Sequence, residues 1–253
     1  MGGLIKTVLR SLRKSAPAAA AAPEAPPLIQ AWGVAIPKPE GGAVYWPGIF
    51  EARDLENAKE IALTPDDAMT TAQRWGVETE FTVEHIASRI GVNERNRVID
   101  FGCGPGRMSR ALIERFGCSV VGVDIAQGMR EQATAYVGSP RFQAVSPQEF
   151  DAMVAQGFAA DFGLACWSLQ HCIYPALEIA RIANSLLLEA PFLLINGTLR
   201  LVPTNVGWHS DGEDLDARMA ERFTQLERLQ FPEGVATPEV IRASSISWWQ
   251  RRL

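Results

Sequence analysis

A glycine-rich loop is the segment of this sequence best suited to chemistry. Residues 98–101 (VIDF) form a short apolar run, residues 102–106 (GCGPG) follow it, and a helical pattern begins directly afterwards. Glycines permit a tight turn from strand to helix and let a ligand lie against bare backbone. The sequence therefore predicts a ligand site that is built largely on backbone atoms at the carboxyl end of a strand.

Two acidic residues flank this loop. Asp124 ends the next apolar run, about twenty positions later, where a carboxylate can accept hydrogen bonds from both ribose hydroxyls of an adenosine. Asp100 stands two residues before the first glycine, and it suits a ligand with a cationic amine better than a pyrophosphate. Arg107 occupies the position of the last glycine in a dinucleotide fingerprint, which disfavours an NAD-dependent oxidoreductase.

The elements that would position these residues alternate between strands and helices after residue 96. Residues 146–149 (SPQE) are a capping box that marks the start of one helix. This pattern predicts an α/β fold, a doubly wound, Rossmann-like and mostly parallel sheet. The predicted strands are residues 97–101, 119–124, 141–145, 161–166 and 191–196, and the predicted helices are residues 106–116, 127–137, 147–156 and 174–189.

The glycine loop and its two acids resemble motif I and its acidic partner in class I S-adenosylmethionine-dependent methyltransferases. Residues 161–171 (DFGLACWSLQH) are similar to the fourth motif of that family, a strand that is followed by a loop with a histidine. The resemblance covers about residues 75–200 and implies S-adenosylmethionine as the cofactor. It is specific for the cofactor and carries little information on the acceptor molecule.

The resemblance also implies a set of cofactor contacts. Asp100 would orient the methionine amine and Asp124 would hold the ribose. The methionine and ribose portions would be lined by four loop residues, Gly102, Cys103, Gly104 and Gly106. The adenine would pack on Ile125 and Met129, and the sulfonium would lie near Cys166 and Trp167 at the end of the fourth strand.

One position departs from the family pattern. The family often has an aspartate after the third strand that binds the adenine amino group, and Ser146 stands there in this chain. Adenine recognition would then depend on backbone atoms or on Gln148.

The residues that would act on the acceptor are less clearly marked. Alignment of an acceptor with an activated methyl group needs no dedicated base, whereas a hydroxyl acceptor benefits from one. His171 and His209 are the two candidates, and the alternative for each is a loop histidine bonded to backbone. Arg74 and Trp75 precede the main domain, where the family places cofactor-covering helices. Trp75 would lie on the acceptor cavity or pack inside these helices.

The chain divides into three predicted regions. Residues 1–27 hold a basic segment and an Ala/Pro linker, residues 28–95 form a helical cap, and residues 96–253 form the Rossmann-like domain. Residues 1–14 carry four cations and no acid, with apolar residues on one face of a predicted helix. This segment would contact an anionic membrane surface or a partner protein, or form a frayed tail.

Local signals predict further helices near both ends of the chain. Residues 64–75 begin with a Thr-Pro-Asp-Asp start signal, residues 80–90 follow, and residues 214–229 form a helix after the fifth strand. Few residues then remain for the antiparallel hairpin with which the family closes its sheet. We therefore expect one or both strands of that hairpin to be abbreviated.

Composition limits the function classes. The formal net charge of −5 disfavours an overall electrostatic attraction to nucleic acid. The four cysteines form no CxxC pair and the three histidines lack metal-ligand spacing, so no metal site is expected. No apolar run is long enough for a membrane-spanning helix. We expect a cytoplasmic protein, peripheral at a membrane surface if residues 1–14 bind lipid.

These observations predict S-adenosylmethionine-dependent methyl transfer to a small-molecule acceptor, at oxygen in preference to other atoms. A sugar, a polyketide-like product or a quinone-type compound could carry that oxygen. The alternative is a catalytically silent methyltransferase-fold subunit that acts in assembly or as a scaffold. The intact glycine loop and Asp124 favour the enzyme, whereas Ser146 and the undefined base favour the alternative.

Overall fold

The apolar runs after residue 96 form one seven-stranded sheet, in a computed structural model that describes residues 44–65 and 68–252. Its strand order is β3-β2-β1-β4-β5-β9-β8, and β1 to β5 are parallel. A separate hairpin contains β6 and β7. The strands are β1 Arg97–Phe101, β2 Ser119–Val123, β3 Phe142–Val145, β4 Phe162–Cys166, β5 Pro191–Gly197, β6 Val202–Thr204, β7 Gly207–His209, β8 Phe223–Leu229 and β9 Ser244–Arg251.

Helices connect the parallel strands and cover both faces of the sheet. The capping box at Ser146 is present, with the serine side chain accepting from Glu149 N and the glutamate accepting from Ser146 N. The helices are α1 Leu55–Ala62, α2 Thr71–Ala87, α3 Arg107–Phe116, α4 Gln127–Val137, α5 Pro147–Ala155, α6 Pro175–Asn184, α7 Leu215–Ala220 and α8 Pro238–Ala243, and short 3-10 turns span Pro47–Phe50 and Leu169–His171.

The sheet separates two apolar clusters because side chains alternate along each strand. Val98 packs on one side, with Leu112 and Trp248, and Ile99 packs on the other, with Trp249. Strands that are buried on both faces are typical of parallel sheets with helices on each side. The predicted doubly wound, Rossmann-like fold is confirmed.

The helices before the sheet differ from the prediction. One continuous helix, α2, replaces the predicted helices 64–75 and 80–90. It begins at Thr70, whose side chain forms a capping box with Gln73, and it continues through Gly76. Thr64 and Pro65 lie outside any helix, and Asp66 and Asp67 of the start signal are outside the described residues. In the Thr70 cap both reciprocal bonds are made, one by the threonine side chain and one by the glutamine side chain.

The predicted helix 214–229 is also wrong beyond Ala220. Asp214 caps α7 as expected, but the chain then forms β8, which pairs with β9. Neither strand of this closing hairpin is abbreviated, since β8 has seven residues and β9 has eight. Hydrogen bonding of residues 223–229 to β9 outweighs the helical pattern of this charged segment. In the described part of the chain, no helix is long and apolar enough to cross a bilayer.

Candidate active site

The glycine loop between β1 and α3 is fixed by positive backbone angles and close packing. Gly102 has φ +71°, and a Cβ there would lie 2.2 Å from Ser168 Cβ. Gly106 has φ +83°, and its Cβ would lie 2.6 Å from Val137 Cγ2. Only glycine fits both positions without displacement. A Cβ on Gly104 would meet only the Ala62 side chain at the end of α1, at 3.8 Å. The space next to Gly104 is therefore open.

Asp124 follows β2 and contacts the glycine loop directly. Its Oδ2 accepts a hydrogen bond from Gly104 N at 2.8 Å, and its Oδ1 accepts one from Ala126 N at 2.9 Å. Burial raises the pKa of this carboxyl, and the two backbone bonds lower it. Each carboxylate oxygen has a second lone pair. Asp124 can therefore accept two further hydrogen bonds while it holds the loop.

Asp100 lies beneath the loop and is 2% exposed. Its Oδ2 accepts from Ser109 N at 3.0 Å and from Ser109 Oγ at 2.7 Å, which ties β1 to the first turn of α3. Burial raises the pKa of Asp100 to about 6, against the opposing effects of Ser109 and Arg107. The carboxylate is thus anchored from one side and keeps its Oδ1 for another donor.

The loop after β4 contains a strained residue, Trp167. Its φ of 61° is unfavourable for a bulky side chain and costs about 1–3 kcal/mol. The indole is held by Glu78 Oε2, which accepts from Nε1 at 3.2 Å, and by a stacked Phe231 ring. Arg74 forms a buried ion pair with Glu78 at 2.7 Å. Arg74 therefore braces α2 against this loop, with its charge directed at Glu78.

Trp75 lies on the side of α2 that faces α3 and α4. Its Nε1 donates to Tyr136 Oη at 3.2 Å, and the two rings meet edge to face at 5.8 Å. The Arg107 guanidinium lies 5.9 Å from the Trp75 ring centroid. Trp75 therefore belongs to the helical packing around the glycine loop.

His171, in the 3-10 turn after β4, is held by both ring nitrogens. Nδ1 donates to Leu201 O at 2.7 Å, because a carbonyl can only accept, and the Gln170 amide nitrogen then donates to Nε2 at 2.9 Å. Burial lowers the pKa of His171 to about 4, and the Arg200 charge acts in the same direction. The imidazole is therefore neutral at physiological pH, with its lone pair on Nε2.

Two aromatic rings connect His171 to the region around Asp124. The Trp208 ring lies 5.0 Å from the imidazole centroid, and the Phe50 ring lies 5.8 Å from it. Phe50 also packs against the cluster that contains Ala126 and Met129, directly after Asp124. A single phenylalanine thus spans the distance between the loop after β2 and the histidine after β4.

His209 is not part of this aromatic group. It follows Trp208 on β7, and consecutive strand residues point to opposite sides. Trp208 faces His171, and His209 is exposed on the other side of the hairpin. The structure therefore brings His171, and not His209, to the rings that adjoin the Asp124 loop.

Comparison with known proteins shows which proteins this chain is similar to. Residues 98–186 match the family model described as "Methyltransferase domain". A 69-residue segment is 39% identical to geranyl diphosphate 2-C-methyltransferase of Saccharopolyspora erythraea, and a 78-residue segment is 30% identical to trans-aconitate 2-methyltransferase of Enterobacter sp.. These segments are 26% and 30% of this chain and cover only 23% and 31% of the two relatives.

A solved structure extends the likeness to most of the chain. Geranyl diphosphate C-methyltransferase from Streptomyces coelicolor, in complex with Mg²⁺, geranyl-S-thiolodiphosphate and S-adenosyl-L-homocysteine, aligns with a TM-score of 0.51. The alignment covers 75% of this chain and 84% of that one, at 14% identity, so it concerns the fold. Residues 98–186 therefore match a methyltransferase domain by sequence, and the solved structure shows the same fold over most of the chain.

The candidate site has polar groups that fit S-adenosylmethionine, the methyl donor that the sequence predicts. The donor is an adenosine joined through sulfur to an amino acid, so it offers ribose hydroxyls, an ammonium and a carboxylate. Asp124 retains lone pairs for the hydroxyls, and Asp100 is a buried carboxylate near the loop. Both groups fit the donor. Within the described residues, no group of His, Cys, Asp and Glu side chains is arranged to hold a metal ion.

The residues expected around the adenine separate into two groups. Ile125 is 36% exposed next to Asp124, whereas Met129 is buried under α1. The Ser146 hydroxyl lies within hydrogen-bond distance of Glu149 Oε2, at 2.7 Å, and accepts from Glu149 N, so it caps α5. Gln148 is exposed on the first turn of that helix.

Two cysteines of the predicted site are packed side chains. Cys103 is buried, and a Cβ on Gly122 would come within 2.8 Å of its Sγ. Cys166 ends β4 and is half-buried. Burial raises the pKa of both thiols, to about 12 for Cys166, so neither is a thiolate near neutral pH.

Glu51 is a site neighbour that sequence reasoning missed. Its carboxylate accepts from Gln127 N at 3.1 Å and from Gly128 N at 2.9 Å, which caps α4 from a distant part of the chain. A carboxylate is stabilised at this position because the first backbone N–H groups of a helix have no partners within the helix. No local signal reveals it, since 76 positions separate Glu51 from Gln127.

Proposed function

We propose that this protein binds S-adenosylmethionine and transfers its methyl group to an oxygen atom of a small-molecule acceptor. The observation that carries the proposal is the Asp124 carboxylate, which contacts Gly104 N and keeps lone pairs for two hydroxyls. When bound, S-adenosylmethionine supplies an electrophilic methyl group on a sulfonium. The residues of the chain then bind the donor, exclude water and align the acceptor.

The donor side of the proposal uses groups that are already fixed. Gly102, Gly104 and Gly106 present backbone, Asp124 holds the ribose and Asp100 attracts the ammonium. Ile125 supplies an exposed apolar surface for the adenine. Ser146 is occupied in the α5 cap, so we assign adenine selectivity to backbone atoms with Gln148 at the rim.

The acceptor side of the proposal is the aromatic surface of Phe50, His171 and Trp208. All three rings are half-buried, which leaves part of each ring for contact with a flat molecule. Tyr45 lies close by, and burial together with the Glu178 carboxylate raises its pKa, so its hydroxyl keeps its proton and can donate. These groups are neutral and favour an uncharged ring that carries hydroxyl groups.

His171 would orient the acceptor hydroxyl through Nε2. This atom now accepts from Gln170, so the amide must give way to the acceptor hydroxyl. A pKa of about 4 makes the imidazole a weak base. Its contribution is therefore a hydrogen bond that directs the oxygen, and the proton released on methylation passes on to water.

Calorimetric titration with S-adenosylmethionine tests the donor assignment, with NAD as the control ligand. Micromolar binding of the first and no binding of the second is expected. Binding of neither would leave a methyltransferase-fold scaffold as the better explanation. The methylated atom is then read from product formed with ¹³C-methyl donor, because the carbon chemical shift separates O-methyl from C-methyl and N-methyl groups.

The proposal extends to the basic segment, residues 1–14, which lies outside the described residues. We propose that it brings the enzyme to an anionic membrane surface from the cytoplasm. The full chain should sediment with phosphatidylglycerol vesicles, whereas a form that lacks residues 1–27 should stay in the supernatant. Donor affinity should be equal in the two forms, and equal sedimentation would remove this role.

A further inference from the structure

Arg107, the first residue of α3, is a buried cation that has no carboxylate partner among residues 44–65 and 68–252. It is 6% exposed, and its Nη1 donates to Thr79 Oγ1 at 3.0 Å. The three other buried arginines of the described chain, Arg74, Arg181 and Arg200, each form an ion pair. Within the same residues, none of the ion pairs includes Arg107.

Such an arrangement is costly unless an anion completes it. Removal of a guanidinium from water without a paired charge is unfavourable, and one hydroxyl and one aromatic face offset only part of that cost. Thr79 and Trp75 supply those two contacts. Asp100 lies near enough for its pKa to be lowered by Arg107, yet it is bonded to Ser109 instead.

The position of Arg107 indicates which anion would complete the site. The residue follows the last glycine of the loop, and its charge also affects the Cys166 thiol at the end of β4. It therefore stands between the two strand ends at which the amino-acid end of the donor is expected. That end is a zwitterion, and Asp100 and Arg107 form a matching pair of opposite charges.

We propose that Arg107 binds the carboxylate of the amino-acid end of S-adenosylmethionine, an inference that rests on the proposed function. Arg107 thereby selects the complete amino acid over analogues that lack the carboxylate. The arginine in place of the last fingerprint glycine is then a binding residue for this donor. A planar guanidinium suits a carboxylate because it can donate two parallel hydrogen bonds.

Calorimetry with three ligands tests this role. S-adenosylhomocysteine has both the ammonium and the carboxylate, S-adenosyl-3-thiopropylamine lacks only the carboxylate, and 5′-methylthioadenosine lacks the whole amino acid. The wild type should prefer the first to the second by about 10- to 100-fold. Arg107→Gln should lose this preference and keep wild-type affinity for 5′-methylthioadenosine. Arg107→Lys, which keeps the charge, should retain part of the preference.

Arg110→Gln is the matched control, since Arg110 lies on the same helix and forms an exposed ion pair with Glu114. It should bind all three ligands as the wild type does. Equal weakening of all three ligands by Arg107→Gln would show a purely structural role and overturn the inference. If Arg107→Gln keeps the preference for S-adenosylhomocysteine over S-adenosyl-3-thiopropylamine, another residue binds the ligand carboxylate and the inference is wrong. If the wild type binds none of the ligands, the proposed function itself fails.

If Arg107→Gln fails to fold, Arg107→Lys decides the matter with the same ligands. Its melting temperature is measured by circular dichroism before the titrations. A folded lysine variant with the full wild-type preference or with part of it supports the inference. A folded lysine variant that binds all three ligands with equally reduced affinity contradicts it.

Discussion

The two ends of the candidate active site are built in different ways. At the proposed donor end, Asp100, the glycine loop and Asp124 lie within one strand–helix–strand unit, where Asp124 accepts from Gly104 N and Asp100 accepts from Ser109 N. At the acceptor end, Phe50, His171 and Trp208 come from three separate segments and meet through ring contacts. Hydrogen bonds to backbone fix positions closely, whereas ring packing tolerates exchange of side chains.

This difference suggests a division of roles. A donor that is common to a family needs the same backbone arrangement in each member, and short segments with strict conformations provide it. An acceptor that varies needs a surface whose side chains can change without disturbing the sheet. The buried contact between Glu78 and Trp167 joins the two ends, since α2 covers the donor end and Trp167 precedes the turn with His171.

The largest effect should come from breaking that connection. Glu78→Gln leaves the buried Arg74 charge uncompensated and should lower the free energy of unfolding by about 3–5 kcal/mol. Chemical denaturation measures the loss. Glu114→Gln, which breaks an exposed pair, is the control and should cost less than about 1 kcal/mol. Equal losses in the two variants would show that the buried Arg74–Glu78 pair contributes no more to stability than an exposed pair.

The next effect concerns His171 and pH. The folded protein keeps its pKa near 4, below the unfolded value of 6.5, so the unfolded state binds more protons between these values. Stability from the neutral imidazole is therefore complete above pH 6.5 and lost as pH falls towards 4. The loss should reach about 3 kcal/mol.

The difference between wild type and His171→Gln isolates this contribution. Asp100, with its pKa raised to about 6, acts in the opposite direction between pH 4 and 6, but it does so in both proteins. Denaturation midpoints from pH 4 to 8 should therefore converge or cross at low pH. Parallel curves would show that folding leaves the pKa of His171 unchanged and would contradict its lowering.

At the donor end, Asp124→Ala should weaken S-adenosylhomocysteine binding by about 1.5–3 kcal/mol, because it removes the acceptor for the ribose hydroxyls. Asp161→Ala is the matched control. Asp161 also accepts from a backbone amide, Arg97 N at 2.7 Å, but at the opposite end of the sheet. Calorimetry on both variants separates the effects, and an unchanged affinity in Asp124→Ala would remove this residue from the site.

The smallest effect tests the acceptor end alone. Trp208→Ala should leave S-adenosylhomocysteine affinity unchanged and weaken binding of a neutral hydroxylated ring by about 0.5–1.5 kcal/mol. The probes are a dihydroxycoumarin and a methyl glycoside, and intrinsic fluorescence and calorimetry report their binding. A loss of donor affinity in this variant would show that the two ends are not independent.

The sequence predicted the segments that local patterns fix and failed for segments that depend on distant contacts. The strand–loop–helix units from residue 97 to residue 155 agree with the sequence patterns within a residue or two, because caps, glycines and apolar runs act over a few positions. The charged segment 223–229 was predicted as a helix and forms a strand. Its partner, β9, lies beyond residue 243, so the decisive contacts are distant in sequence.

The site residues separate in the same way. Short-range patterns single out Asp100, Asp124 and the glycines, whereas no pattern indicates that Glu51 caps α4 or that Phe50 contacts His171. Arg107 was visible only as a departure from a fingerprint, and its significance depends on burial without a paired charge.

The sequence by itself determined the units from β1 to α5, the glycine loop and the match of residues 98–186 to a methyltransferase domain. These depend on conformations that neighbouring residues impose. Tertiary structure decided which histidine meets the aromatic surface, which buried arginine of the described residues forms no ion pair and how the last two strands complete the sheet. Those outcomes depend on burial and on contacts between distant segments. Their energies arise only when water is excluded by the folded chain.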